Sequence, residues 1–162
     1  MNIFLTVERA TALPSPTDEA IRVWIGQVLT RAKGLKGEHP EISIRIADDA
    51  EAAQFNQTYR SKTGPTNVLS FPADLPPDTG SGLLGDLVIC APLVQKEAAQ
   101  QHKSEEAHWA HLVIHGVLHL LGYDHTDAKD AEHMEALEID LLDSLGFPNP
   151  YESAQPSEGV LA

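Results

Sequence analysis

The densest chemistry in this 162-residue chain lies in HGVLHLLGYDH, residues 115 to 125. At about 100° per residue, His115 and His119 fall one turn apart on the same helix face. Two imidazoles placed there can hold one metal in common with little chain entropy to lose. Gly122 follows His119 by three residues, where a helix must end if the chain is to turn back. His125, six residues after His119, can return from that turn as a third ligand. Three neutral protein ligands leave a position open for water, which marks a catalytic rather than a structural zinc site. The expectation is one divalent transition metal, zinc first, used for hydrolysis; nickel, copper or iron also suit a site of three histidines. A lone HxxxH pair would more often be a surface or buried pair without metal, but the glycine break and the third histidine in register argue against that here.

The spacing H-x3-H-x2-G-x2-H is the metzincin pattern with one residue changed. A metzincin carries Glu directly after its first histidine, as the base that activates water. Gly116 stands at that position, so the group that would make the site a peptidase is missing. Asp124, beside the third histidine, is one alternative base, and the metal's own activation of water is the other. Asp124 also suits a role behind a ligand or as a cap for the next helix. His108 and His111 share the same helix face one turn earlier; ligands in a different register are one reading, but they are distant from the turn that delivers His125, and polar core or groups supporting the ligands is the better one.

The elements that must position these residues follow from periodicity. Asn2–Glu8 alternates around Ile3, Leu5 and Val7 as a strand, and Ile42, Ile44 and Ile46 mark another. Thr17 caps a helix with Ile21, Trp24, Ile25, Val28 and Leu29 on one face, ended by Gly34. A helix from Asp49 to Tyr59 leads into the turn-rich SKTGPT, and Val68–Phe71 is a short strand closed by Pro72. The Pro/Gly/Asp loop ADLPPDTGSG precedes the strand Leu83–Cys90, and Pro92 opens the next helix. Cys90, the lone cysteine, reads as a small buried apolar residue ending its strand. Ser104 caps the histidine helix, which runs to Leu121. Thr126 or Asp127 caps a last helix striped by Met134, Leu137, Leu141 and Leu145. Four strands and about five helices predict an α/β sandwich on a small mixed sheet, with one domain over residues 1–148 and a flexible tail over 149–162.

Composition bounds the function. Apolar residues make up 42% and charged residues 22%, as in ordinary globular proteins, and no apolar run is long enough to span a membrane. One cysteine and the absence of a basic, cleavable leader fit a reducing cytoplasm. The net charge is −13, unevenly placed: residues 1–103 balance at −2, whereas residues 104–162 carry only Lys129 against twelve acids. Generic nucleic-acid binding needs a basic surface, so a polyanionic substrate would enter from the N-terminal side or meet the metal itself.

Three blocks together, NQTYRSKTGPTNVLSFP (56–72), LLGDLVIC (83–90) and HGVLHLLGYDH (115–125), closely resemble the YbeY family of bacterial endoribonucleases and rRNA maturation factors. The resemblance covers nearly all of residues 40–148, with the blocks in family order. It implies a compact α+β domain with a zincin-like metal site, single-strand-directed RNA cleavage, 16S rRNA 3′-end maturation and ribosome quality control. By position, His115, His119 and His125 match the family's metal ligands and Arg60 its characteristic basic residue.

The residues themselves agree on Arg60. A guanidinium at a helix end before a Gly/Pro turn can face a cleft and hold a phosphate bidentately; from the residues alone a surface salt bridge is an equal alternative, and the resemblance favours the phosphate role. Lys62 and the group Arg31, Lys33 and Lys36 read as solvated charges before they read as an RNA path. Asp86 suits a turn as well as a role orienting a histidine, and Tyr59 and Phe71 suit core packing better than base stacking. The expected mechanism is metal-assisted hydrolysis of RNA phosphodiesters with Arg60 clamping the phosphate, on ribosome-bound RNA with ribosomal proteins as partners. A metallopeptidase-like hydrolase and a non-catalytic, zinc-stapled ribosome assembly factor are the alternatives. Oligomeric state is not legible in the chain.

Overall fold

A computed structural model describes residues 3–33, 39–73, 82–124 and 127–151. Gly34, Lys36, most of the ADLPPDTGSG loop, His125, Thr126 and the tail from residue 152 lie outside the described residues. The chain runs β1 (Phe4–Arg9), α1 (Asp18–Arg31), β2 (Glu41–Ala47), α2 (Asp49–Arg60), β3 (Val68–Pro72), β4 (Leu83–Cys90), α3 (Ala91–Gln100), α4 (Glu105–Leu120) and α5 (Ala128–Ser144). The four strands form one mixed sheet in the order β1-β2-β4-β3. The β1–β2 and β2–β4 pairs are parallel, and only the edge strand β3 runs antiparallel to its neighbour. The expected α+β layers, small mixed sheet and five helices are all present.

Polar residues at the helix starts do the punctuation. The Thr17 hydroxyl accepts from the Ala20 amide, Ser104 accepts from Ala107, and the Asp127 carboxylate accepts from Asp130. Each satisfies an amide that the first helical turn leaves without a partner. Pro92 stands in the first turn of α3, where its missing N–H costs nothing.

Alternation in the strands sorts side chains between two faces. Ile42, Ile44, Ile46, Leu87 and Ile89 join α1 and α4 in the main core, where Ile25, Val28, Val113, Ile114, Val117 and Leu118 are fully buried. Leu69 and Val88 face the other way, into a smaller cluster with Ala47 and the half-buried Phe55 and Phe71. Helix α4 is therefore wedged between the sheet and α5, and its buried residues surround nearly its whole circumference. Beyond its exposed first residues, Glu105 and Glu106, only a strip of it, His111, His115 and His119, stays partly open. Cys90 is buried as expected, and that burial pushes its thiol up to about 12, so it is inert near neutral pH. Among the described residues no helix is long and apolar enough to cross a membrane.

Candidate metal centre

The open strip of α4 brings His115 and His119 edge to edge, with ring centroids 4.7 Å apart and Nε2 atoms 3.2 Å apart. Two imidazole nitrogens at that distance share a proton or are poised on one cation. Ligand atoms of a tetrahedral zinc stand about 3.3 Å apart, so the pair fits that ion without rearrangement. Both rings line a cavity of about 540 Å³ that Arg60, Ser70 and Asp124 also line. His125, the third expected ligand, lies outside the described residues.

Local chemistry explains how each of these side chains arrives. Helix α4 stops at Leu121 because Gly122 adopts a φ of +102°, which a residue with a side chain rarely takes. The Gly122 amide donates to the His119 carbonyl and the Tyr123 amide to that of Leu118, a Schellman turn that sends the chain back over the cavity with Asp124. Tyr123 anchors that turn: its ring stacks on His133 and its hydroxyl accepts from the Lys33 amide at 3.0 Å. Arg60 ends α2, where Ser61 adopts a left-handed conformation. The buried Asn56 holds the following turn by donating to the Gly64 carbonyl at 2.8 Å. Among the described residues Arg60 makes no ion pair, so the salt-bridge reading has no support there.

Behind the histidines sits a group that sequence reasoning missed. Glu138 of α5 is wholly buried, and its two oxygens accept from His111 Nε2 at 2.7 Å and from His115 Nδ1 at 2.8 Å. The Tyr151 hydroxyl donates to the same carboxylate. Burial alone would push this carboxyl up, but the hydrogen bonds from His111 and His115 overcome it and hold it at about 2. Burial pushes His111 down, so a neutral imidazole donates from its Nε2 to the carboxylate. His111, His115 and Glu138 bring one ligand atom each within 4.8 Å of one another, and as a set they could hold a metal ion. One signal was available in the sequence. Position 138 lies four residues after Met134 and three before Leu141, so an acid interrupts the apolar stripe of α5.

Gly116, where a peptidase would carry its glutamate, faces the sheet. A Cβ there would stand 2.8 Å and 3.1 Å from the two methyls of Leu87, and the Ser70 hydroxyl donates to the Gly116 carbonyl at 3.4 Å. The missing glutamate is thus a packing requirement as well as a chemical absence. His108 belongs to the polar core, 3% exposed and 2.8 Å from Glu97.

Other expectations are corrected. Asp86 is exposed, and alternation along β4 puts it on the face away from α4, so it orients no histidine. Tyr59 is not core: it is 62% exposed, stacked on Phe55 and edge-on to Phe71. The reading of Lys62 and Arg31 as solvated charges needs no correction: both are exposed, Lys62 does not line the cavity, and Arg31 donates to the Asp140 carbonyl at 3.4 Å.

These features define a class: an α+β domain with an imidazole cluster at the end of a buried helix, a carboxylate bracing it from behind and an arginine across the same cavity. The family described as "Endoribonuclease YbeY" matches residues 7–146. The chain belongs to that family of RNA-hydrolysing enzymes. It is 51% identical over 154 residues to a protein of Methylococcus capsulatus named Endoribonuclease YbeY, covering 95% of this chain and 99% of that one. A protein of the same name from Pseudomonas putida is 53% identical over 148 residues, covering 91% and 92%. The solution structure of TM1509 from Thermotoga maritima shares the fold, with a TM-score of 0.56 at 21% identity over 96% of this chain and all of that one.

Proposed function

We propose that this protein is a single-strand-directed endoribonuclease that holds one zinc ion through Nε2 of His115, Nε2 of His119 and the imidazole of His125, and cuts RNA beside Arg60. The observation that carries the reading is the 3.2 Å between the two Nε2 atoms in a cavity that Arg60 also lines. His115 donates from Nδ1 to Glu138, which leaves the lone pair on its Nε2, directed at His119. Metal held instead by His111, His115 and Glu138 would have to displace the N–H donors that already satisfy both carboxylate oxygens. Glu138 is better used as the buried carboxylate that fixes the tautomer and orientation of His115.

A zinc ion held by these histidines would supply Lewis acidity toward a phosphoryl oxygen and would favour water ionised near neutral pH. The chain's own groups do the rest. Arg60 offers a planar fork of donors to the two non-bridging oxygens and holds the phosphate in line with the cavity floor. Asp124 is exposed and lines the same cavity, and in this proposal it accepts the proton of the attacking oxygen. Gly116 offers no competing carboxylate, which turns the geometry from peptides to phosphate.

The biological setting follows from the family resemblance: 16S rRNA 3′-end maturation and ribosome quality control in the cytoplasm, with ribosomal small-subunit proteins supplying the basic surface this chain lacks. Residues 1–148 act as one catalytic domain, and the Tyr151 hydroxyl, bonded to Glu138, ties the segment after α5 to it.

Metal analysis combined with cleavage of a single-stranded oligoribonucleotide tests the proposal. Wild type retains zinc and cuts. His119→Ala loses both, and Arg60→Ala keeps the metal while cleavage falls roughly 100-fold. Full cleavage by metal-free His119→Ala would sink the reading. Zinc retained at wild-type affinity by His119→Ala would move the metal to His111, His115 and Glu138.

A further inference from the structure

A second cavity, of about 1030 Å³, opens between the α3–α4 junction and the segment after α5. Asn67 lines both this cavity and the one holding His119 and Arg60, so the two adjoin. The volume lies at the upper end of that usual for ligand sites, ample for one nucleotide. One wall is rich in donors, among them Lys103, Gln100 and Ser104, and another is apolar, with Phe147 and Leu112.

Its charge differs from that of the surrounding surface. The lining residues include one Lys or Arg, Lys103, and one Asp or Glu, Glu97. The Glu97 carboxylate is already engaged, accepting from Asn67 Nδ2 at 3.1 Å and standing 2.8 Å from His108 Nε2. The His108 hydrogen bond holds that carboxyl below the usual range. Lys103 is half-buried and makes no ion pair among the described residues. Burial pushes its ammonium down, a cost that an anion in the cavity would relieve. His108 also lines the space and is 3% exposed, yet its Nδ1 has no partner among the described residues. That atom has almost no accessible surface, so the ring meets the cavity through its other atoms. Ser104 is the cap of α4, whose 16 residues aim the positive end of their dipole at the same place, a field that Glu105 and Glu106 in the first turn partly offset.

We propose that this cavity seats a nucleotide of the RNA strand flanking the scissile bond, with its phosphate on Lys103 and the α4 N-terminus and its base against Phe147 and Tyr151. The inference rests on the RNA-cleaving reading of the adjoining site and gives the strand a path: past Asn67, from one cavity into the other. Each cavity then contributes one cation, Arg60 at the cut and Lys103 beyond it.

The test uses the zinc-loaded full chain and a single-stranded oligoribonucleotide of about ten nucleotides, long enough to cross both cavities. Lys103→Gln should raise KM several-fold with kcat and zinc content unchanged, and Lys103→Arg should restore KM. In metal-free wild type, the same RNA should shift the imidazole resonances of His108, a readout that a merely structural lysine would not move. An unchanged KM for Lys103→Gln, or no shift at His108 when RNA is bound, overturns the inference while leaving the cleavage site standing. Wild type that cuts no RNA at all overturns both.

Discussion

Glu138 has a demanding position: a carboxylate with no solvent exposure, kept ionised by two imidazole N–H groups and a tyrosine hydroxyl. An ionised group buried without partners would cost several kcal/mol, so the arrangement persists only because each oxygen is satisfied. Glu138→Gln keeps the size but turns one acceptor into a donor that faces an N–H. One of His111 or His115 must then change tautomer or tilt, and the lone pair of His115 no longer points reliably at His119. Zinc affinity, read by competition with a chelating dye, should fall by about 10- to 100-fold while the fold survives. Tyr151→Phe removes one donor of three and should cost less. Unaltered affinity in Glu138→Gln would mean that His115 needs no brace. The contrast with the histidines tells what a sequence exposes at this scale. His115 and His119 are one helical turn apart, so the helix itself makes them neighbours and the period reveals them. Glu138 meets His115 across 23 residues through the packing of α5 on α4, and no local period records that.

At the scale of elements, most of the fold was legible because caps and alternation are local: Thr17, Ser104 and Asp127 start their helices, and Ile42, Ile44 and Ile46 show β2's buried face. Strand order was not, since β4 inserts between β2 and β3 and nothing in the chain between them says so. Tyr59 misled for a related reason. It has the type of a core residue, but its side of α2 meets only the edge of the smaller cluster. Helix α4 approaches β4 closely at Gly116. A Cβ there already presses on Leu87, which is fully buried and has no room to withdraw. Gly116→Glu would restore the metzincin residue in sequence yet drive a carboxylate into the sheet. The expected result is a loss of about 3 kcal/mol or more, seen as a lower urea midpoint, with no gain of peptidase activity. A stable Gly116→Glu protein that cleaves peptides would show that this position faces the site after all.

For the molecule as a whole, the charge asymmetry was plain in the sequence, but its relation to the cavities was not, because tertiary burial decides which charges line them. The net charge is −13, yet among the residues lining each cavity there is one Lys or Arg and one Asp or Glu: Arg60 and Asp124 in one, Lys103 and Glu97 in the other. An RNA strand would therefore gain few phosphate contacts and feel general repulsion elsewhere, which predicts an unusually shallow salt dependence. Two neutralised phosphates on a single strand give a slope of log Kobs against log salt of about −1.4. Screening of the repulsion should flatten it further. The measurement is titration of a labelled oligoribonucleotide into chelator-treated protein over a range of salt. Arg60→Ala and Lys103→Gln should each lessen the slope by about 0.7, and the double variant should leave almost none. A wild-type slope steeper than about −3, unmoved by either substitution, would place the strand on a basic surface elsewhere, with Arg31 and Lys33 the first residues to examine. A shallow slope that both variants reduce would explain how an acidic protein acts on RNA: it grips the strand at two points, and the rest of the affinity comes from whatever assembly presents the strand to it.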